Sequence, residues 1–201
     1  TVWILRGGWL VHKQNGVQIM TVGDGALDAH THLSHAQPFT VDVVNQVQTN
    51  AFSYGCTFVA IEVDLALGKV EIQEIYNIHD AGTIINPQQA AGQVHGGVSM
   101  ALGYALYEQM LFDPVSGKPL NNNLLDYKLM TILDTPDMGA NFVETFEPTG
   151  PCGNKSLGEP PTCSPAPAIR NAIFHATGVK FNHLPLTPPV LVAGFRAAGL
   201  I

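Results

Sequence analysis

CTFVAIEVDLALGKVEIQEIYNIHD, residues 56–80, alternates apolar and polar side chains in two runs separated by a short turn. Successive side chains of a strand point to opposite faces, so such alternation is typical of strands with one buried face. The first run predicts an inner face formed by Thr57, Val59, Ile61 and Val63. After a turn at 66–69, the second run predicts a continuation of one face by Val70, Ile72, Tyr76 and Ile78. The stretch therefore predicts a β-hairpin.

A long helix is predicted directly after the hairpin, in NPQQAAGQVHGGVSMALGYALYEQM, residues 86–110. Asn86 suits the N-cap position, and Pro87 suits the first position of a helix. Apolar residues then recur at helical spacing. This pattern predicts a helix over about 87–110.

Glycines interrupt that helix at positions where they weaken it. Gly92 and Gly96, one turn apart, would leave a strip without side chains, where another backbone or a ligand can approach closely. Gln93 lies beside this strip. Ordinary packing of the helix against a sheet explains the same spacing, so both interpretations stay open.

The remaining elements complete the predicted fold. NFVETFE, residues 141–147, is typical of a strand. Ser164 is expected to cap a helix that begins at Pro165 and ends at Gly178. The order of hairpin, helix, strand and helix predicts an α+β fold, a two-layer α/β sandwich.

Composition excludes several classes of protein. Of the 201 residues only 12% are charged, against about 25% in an ordinary soluble domain, which suggests a surface covered by other parts of an assembly. A formal net charge of −7 without a cluster of Lys or Arg argues against binding of nucleic acid. No apolar run reaches the roughly 18 residues of a membrane-spanning helix. The sequence predicts a cytoplasmic protein that does not bind a membrane.

A possible metal motif occurs near the N-terminal end, in ALDAHTHLSH, residues 26–35. Asp28, His30 and His32 are residue types that hold divalent metals, and the stretch is similar to the opening metal motif of amidohydrolases. The barrel and the further ligands of such enzymes are not predicted here. A metal-dependent hydrolase using these three residues is one alternative function.

A single acidic residue has a stiff frame in GNKSLGEPPTCSPAPAIRNAI, residues 153–173. Glu159 follows Gly158 and precedes Pro160 and Pro161. A carboxylate that acts as a general base needs a fixed direction, and such a frame restricts the backbone. A solvated loop glutamate is equally compatible with the residues alone.

Three blocks together resemble a known family. KSLGEPPTCSPAPAIRNAI, NIHDAGTIINPQQAAGQVHGGVSMALGYALYEQM and NLLDYKLMTILDTPDM are similar to the C-terminal part of the molybdenum-binding subunit of xanthine dehydrogenases, in the xanthine oxidase family of molybdenum hydroxylases. The resemblance runs from about Gln14 to the closing AAGLI. It implies that residues 1–201 form a C-terminal molybdopterin-binding domain, a fragment of a larger subunit. It further implies the molybdopterin-binding fold of the aldehyde oxidase and xanthine dehydrogenase type.

The resemblance also implies a role for particular residues. Glu159, in the Gly-Glu-Pro-Pro motif, corresponds to the catalytic base that takes a proton from a molybdenum-bound hydroxide, while hydride passes to a sulfido ligand. Gln93 corresponds to a residue that hydrogen-bonds near the metal and its pterin. Gly92 and Gly158 correspond to positions where backbone comes close to the cofactor. The metal is held by sulfurs of the molybdopterin, so no ligand from the protein is implied.

The implied enzyme is larger than this chain. The substrate would be a purine such as hypoxanthine or xanthine, with water as the oxygen source. Electrons would leave through [2Fe-2S] and FAD centres on partner domains or subunits to NAD, and an upstream molybdenum-binding domain would complete the site. The fragment alone is expected to be inactive. A third hypothesis, besides the hydroxylase and the hydrolase, is an assembly domain that keeps the family fold without a cofactor.

Overall fold

A computed structural model of the chain describes residues 3–31, 44 and 49–201. The chain divides into two compact units, Thr1–Gln46 and Val47–Ile201. Within the described ranges, every helix is too short or too polar to cross a lipid bilayer. The sequence predicts one molybdopterin-binding domain over residues 1–201. The division into two units does not test that assignment, which stays a prediction.

The first unit contains a small antiparallel sheet followed by a helix. Gly7 and Gly8 join the first two strands with φ of 57° and 79°, the left-handed region that a two-residue hairpin turn requires. The sheet has the order β1-β2-β3. Its elements are β1 (Trp3–Arg6), β2 (Trp9–His12), β3 (Gln18–Thr21) and α1 (Val22–Thr31).

The second unit contains a mixed sheet and its helices. Strands β4 and β5 are antiparallel, as the predicted hairpin requires, and β6 pairs with β5 in parallel. A parallel pair needs a crossover connection, and the chain between β5 and β6 contains α2. The elements are β4 (Tyr54–Asp64), β5 (Lys69–Asp80), α2 (Pro87–Leu106), β6 (Asp137–Phe142), α3 (Pro160–Cys163), α4 (Pro165–Thr177) and α5 (Pro188–Ala197), with 3-10 turns at Ile132–Asp134 and Pro151–Gly153.

The core of the second unit lies between the sheet and a layer of helices. Apolar side chains of α2, α4 and α5 are buried there with the inner face of the sheet. The opposite face of the sheet exposes Phe58 and Tyr76. The two-layer α+β fold predicted from the sequence is therefore confirmed. The buried cluster consists of Ile75, Val94, Val98, Leu102, Ala105, Leu106, Ala166, Ile169, Ile173, Phe181, Leu186, Leu191 and Phe195.

A bulge in β5 changes which side chains reach the core. Ile61 pairs with Ile72 but Ala60 pairs with Glu74, so Gln73 is an extra residue. One extra residue reverses the alternation beyond it. The prediction that residues 76 and 78 share the inner face with residues 70 and 72 is therefore wrong. The buried side chains beyond the bulge are Ile75, Asn77 and His79.

Helix α2 begins as predicted and ends one turn earlier than predicted. The Oδ1 of Asn86 accepts a hydrogen bond from the backbone N of Gln89 at 3.1 Å. At the other end, the backbone N atoms of Tyr107 and Glu108 both donate to the carbonyl oxygen of Gly103, each at 2.9 Å. Two donors on one carbonyl mark the point where the regular pattern stops.

The C-terminal elements differ from the prediction in detail. Helix α4 begins at Pro165 and is followed by Gly178 with φ of 74°, as predicted. Ser164 occupies the N-cap position without a capping hydrogen bond, and its Oγ lies 2.6 Å from the Oγ1 of Thr57 instead. The structure adds the one-turn helix α3 ahead of it. The strand predicted over 141–147 is found over Asp137–Phe142.

Candidate functional site

Glu159, the predicted catalytic residue, lies at the start of a one-turn helix. It is the N-cap residue of α3, with φ of −93° and ψ of −26°. Pro160 and Pro161 follow at the first helical positions, where the missing N–H costs no hydrogen bond. The carbonyl oxygen of Glu159 accepts from the backbone N of Thr162 at 2.9 Å and from its Oγ1 at 2.8 Å. The prolines and these two hydrogen bonds restrict the backbone of the turn.

One face of α2 contacts this turn. The Nε2 of Gln93 donates to the carbonyl oxygen of Gly158 at 3.0 Å. One helical turn further on, a Cβ added at Gly97 would lie 2.7 Å from the Cβ of Pro161, closer than real Cβ atoms come. Gly97 therefore permits the close contact between helix and turn. The sequence did not distinguish it from the other glycines of the helix.

The strip formed by Gly92 and Gly96 lies open beside this contact. A Cβ at either position would meet no atom within 4 Å, and the same holds for Gly158. Gly92 adjoins Gln93 in the helix, and Gly158 adjoins Glu159 in the turn. The structure therefore brings all four residues predicted from the resemblance into one region.

Two further side chains hold the turn from opposite layers. The Oη of Tyr104, on α2, donates to the carbonyl oxygen of Thr162 at 2.6 Å. The Nδ2 of Asn77, on β5, donates to the carbonyl oxygen of Pro161 at 3.3 Å. Asn77 is fully buried, with 0% of its surface exposed. Sequence analysis missed both residues, and for Asn77 the reason is the bulge, which turns it from the predicted outer face to the inner one.

The carboxylate of Glu159 is not hydrogen-bonded to any of these anchors. The residue is exposed, and its side chain makes no hydrogen bond or ion pair with any residue that the structure describes. Only the backbone of the turn therefore sets its position within the described chain. An exposed carboxylate of this kind can accept a proton from a group outside the chain.

A cavity of about 320 Å³ adjoins the turn. Gln93 and Gly158 both line it, together with residues at the start of α2 and the segment that leads to Glu159. Glu159 and Gly92 are not among its lining residues. The other lining residues are Ala81, Thr83, Ile84, Ile85, Asn86, Gln89, Ala90, Asn154, Lys155 and Leu157.

The charge of Lys155, which lines this cavity, is compensated within the chain. Its Nζ lies 2.7 Å from the Oδ1 of Asp80, and its side chain is only 8% exposed. The Oγ1 of Thr145 donates to the same oxygen at 2.5 Å. The hydrogen bonds from Lys155 and then from Thr145 lower the pKa of Asp80 to about 2. The ion pair ties the end of β5 to the segment that precedes the turn.

Two glycines let that segment cross the loop between β5 and α2. Gly82 and Gly153 have φ of 68° and 82°, and a Cβ at Gly82 would lie 2.3 Å from the carbonyl oxygen of Gly153. The backbone N of Thr83 donates to that oxygen, and the N of Lys155 donates to the carbonyl of Ala81, both at 2.8 Å. The crossing places the chain that leads to Glu159 beside the start of α2.

The alternative metal motif is only partly described. Asp28 and His30 belong to α1, whereas His32 lies outside the described residues. The side chains of Asp28 and His30 are not described either, and among the side chains that are described, no three His, Cys, Asp or Glu residues form a group that suits a metal ion. The metal-dependent hydrolase therefore stays a hypothesis without a structural observation in its favour.

A family model described as a molybdopterin cofactor-binding domain matches residues 4–136. The matched residues are about two thirds of the chain, and they include Gly92 and Gln93. The match ends before the turn of Gly158 and Glu159.

A curated relative agrees with this match. The chain is 46% identical, over 198 residues and 98% of its length, to the putative xanthine dehydrogenase molybdenum-binding subunit XdhA of Escherichia coli (strain K12). It covers 26% of that protein, so it spans about a quarter of the length of the curated relative.

Solved structures share the fold. The CO dehydrogenase from Oligotropha carboxidovorans superposes with a TM-score of 0.76 at 23% identity, over 99% of this chain and 25% of that one. The aldehyde oxidoreductase from Desulfovibrio gigas superposes with a TM-score of 0.65 at 29% identity, over 72% of this chain and 15% of that one. The expected fold type is thereby confirmed.

Proposed function

Because the chain belongs to the molybdopterin cofactor-binding domain family, we propose that it supplies part of the active site of a xanthine dehydrogenase-like molybdenum hydroxylase. The proposal depends most on the hydrogen bond between Gln93 and Gly158. That contact holds the turn of Glu159 against α2, beside the open strip of Gly92 and Gly96.

The described residues provide the open space and the polar groups that binding of a molybdopterin requires. Gly92, Gly96 and Gly158 leave space that a Cβ would enter without meeting any described atom. Gln93 is exposed, and its amide keeps an acceptor oxygen and a second N–H for a polar heterocycle. We propose that Gly92, Gln93 and Gly158 hold the cofactor.

The proposed chemistry divides between cofactor and protein. When bound, the molybdopterin supplies a redox-active molybdenum centre for oxidation of a substrate carbon, with oxygen taken from water. Glu159 acts as the general base and accepts a proton on its carboxylate from the oxygen nucleophile. The stiff turn fixes the backbone from which the carboxylate extends before the substrate arrives, which lowers the cost of reaching the reactive geometry.

The substrate and the electron path are further parts of the proposal. The identity to a xanthine dehydrogenase subunit supports a purine such as hypoxanthine or xanthine. We propose that [2Fe-2S] and FAD centres on partner domains or subunits pass the electrons to NAD, and that an upstream molybdenum-binding domain completes the site. Cytoplasmic location stays a prediction from the sequence. Since the chain spans about a quarter of its relative, this activity belongs to a longer assembly.

The role of Glu159 is tested by Glu159→Gln in the full-length protein assembled with its partners. General bases contribute about 10²–10⁴-fold to a rate, so we expect turnover of xanthine to fall by that factor while molybdenum content stays normal. Glu62→Gln is the matched control, because Glu62 is also an exposed carboxylate, on β4. Wild-type turnover in Glu159→Gln with a full complement of molybdenum would show that another group is the base.

Metal and cofactor analysis of the purified wild-type assembly separates the alternatives. Molybdenum and pterin in stoichiometric amounts support the proposed function. Their absence from an otherwise complete assembly would favour a cofactor-free assembly domain. Zinc at one atom per chain, lost in His30→Ala, would favour the hydrolase instead.

A further inference from the structure

Three side chains bind three backbone carbonyl groups of one short turn. Gln93, Asn77 and Tyr104 donate to the carbonyl oxygens of residues 158, 161 and 162 respectively. Two of these donors belong to α2 and one to β5. The turn is therefore held from both layers of the fold.

The three donors matter because the side chain of Glu159 makes no hydrogen bond of its own within the described chain. Its carboxylate has no partner among the described residues, so the described chain positions it only through the backbone of residues 158–162. We propose that Tyr104 and Asn77 are positioning residues that fix the backbone of Glu159 and so the place from which its carboxylate extends. This inference rests on the proposed function of Glu159 as the base.

Tyr104 is joined to Glu159 through a single residue. Its hydroxyl donates to the carbonyl of Thr162, and the backbone N and Oγ1 of Thr162 donate to the carbonyl of Glu159. Burial, with a smaller contribution from Cys163, raises the pKa of Tyr104, so its hydroxyl keeps the proton that it donates. Loss of this hydroxyl frees the C-terminal side of the turn.

Asn77 acts from the sheet. It is fully buried, and the amide oxygen opposite its donor has no hydrogen-bond partner among the described residues. The donor nitrogen must face the carbonyl of Pro161, because the amide oxygen cannot donate to a carbonyl. Pro161 packs closely on Gly97 of α2, so its carbonyl has little freedom to move away from Asn77.

Tyr104→Phe tests the proposal in the full-length enzyme with its cofactor, with xanthine as substrate. A misplacement of about 1 Å in a reacting group costs about 10²-fold in rate. We expect kcat to fall about 10- to 100-fold, while KM and molybdenum content stay at the wild-type values. KM is unaffected because the hydroxyl contacts the turn and not the substrate.

Tyr127→Phe is the matched control. The Oη of Tyr127 donates to the Oε2 of Glu108 at 2.7 Å, so this variant also loses one hydrogen bond of a partly buried tyrosine. A merely structural role predicts similar losses of thermal stability and no effect on kcat in either variant. Equal kcat in Tyr104→Phe, Tyr127→Phe and wild type would overturn the proposal.

Hydrogen exchange supplies a readout independent of activity. We expect the backbone amides of Glu159, Thr162, Cys163 and Ser164 to exchange faster in Tyr104→Phe than in wild type or Tyr127→Phe; Pro160 and Pro161 have no amide hydrogen. Unchanged exchange in that segment would contradict the anchoring role. Asn77→Leu keeps the volume of the side chain and removes its N–H donor, and we expect it to show the same pattern. If Asn77→Leu does not fold, Tyr104→Phe alone decides the question.

A double variant separates this proposal from the function on which it rests. If Tyr104 acts through Glu159, Tyr104→Phe lowers kcat in the wild-type background and has no further effect in Glu159→Gln. Full activity in Glu159→Gln refutes the proposed base and with it the positioning role. A large loss in Glu159→Gln with none in Tyr104→Phe refutes only the positioning role.

Discussion

Gln93 and Gly158, separated by 65 positions in the chain, are joined by a hydrogen bond of 3.0 Å from the side chain of one to the backbone of the other. This contact brings a helix and a proline-rich turn, two separate features of the sequence, into one candidate site. The close packing of Gly97 on Pro161 continues the same interface.

We expect Gly97→Ala to destabilise the protein. The added methyl group would lie 2.7 Å from the Cβ of Pro161, and overpacking of this kind costs about 1–3 kcal/mol. The higher helix propensity of Ala offsets up to about 1 kcal/mol of this loss. Urea unfolding measures the net effect, which we expect to be a loss.

Gly92→Ala is the matched variant at the open strip of the same helix. Its methyl group would meet no described atom, so we expect unchanged or slightly raised stability of the cofactor-free protein. We also expect lower molybdenum content in the assembled enzyme, because the methyl group would fill space proposed for the cofactor. Normal molybdenum content in Gly92→Ala would argue against Gly92 as part of the proposed cofactor site.

The ion pair of Asp80 with Lys155 predicts a dependence of stability on pH. The pKa of Asp80 is about 2 in the folded protein, against an ordinary value of 3.8. A lowered carboxyl pKa contributes stability that is present above 3.8 and is lost as the pH falls through about 2. We therefore expect Asp80→Asn to be less stable than wild type at pH 6, with a difference that narrows between pH 3.8 and about 2.

Lys155→Met checks the cause of this effect. The hydrogen bond from Lys155 is the largest contribution to the lowered pKa, so its removal should weaken the same pH dependence. Urea unfolding over the acidic range measures both variants and their combination. The expected effect is contradicted if the free energies of unfolding of wild type and Asp80→Asn differ by the same amount at every pH between 6 and 2.

His79 predicts a second dependence on pH, nearer neutrality. The ring is buried, and burial lowers its pKa below 6.5 against a smaller opposing effect of the Tyr54 backbone. The unfolded chain takes up a proton near 6.5 while the folded one does so only at lower pH, so the free energy of unfolding falls as the pH drops below 6.5. An NMR titration of the His79 ring measures this directly, and a midpoint at or above 6.5 would contradict it.

The local pattern of the sequence accounts for the principal elements. The hairpin follows from alternation over residues 56–80, and the start of α2 follows from Asn86 and Pro87. Both features depend on contacts within a few positions of the chain, which periodicity and capping report. The Gly-Glu-Pro-Pro motif likewise predicts the stiff turn of Glu159 from consecutive residues alone.

The face that each β5 side chain presents was decided by tertiary structure. A bulge at Gln73 turns Asn77 inward. No residue type in β5 predicts that the strand contains this extra residue. The same holds for Tyr104, whose partner Thr162 is 58 positions away.

By itself, the sequence determined the hairpin, the starts of α2 and α4 and the family, because periodicity, caps and the motif around Glu159 are properties of short segments. Only the folded chain decided that Gly97 is the glycine that packs on the turn while Gly92 and Gly96 stay open. The physical reason is that neighbouring helix positions differ in direction by about 100°. Which glycine meets a partner therefore depends on where the rest of the chain comes to lie.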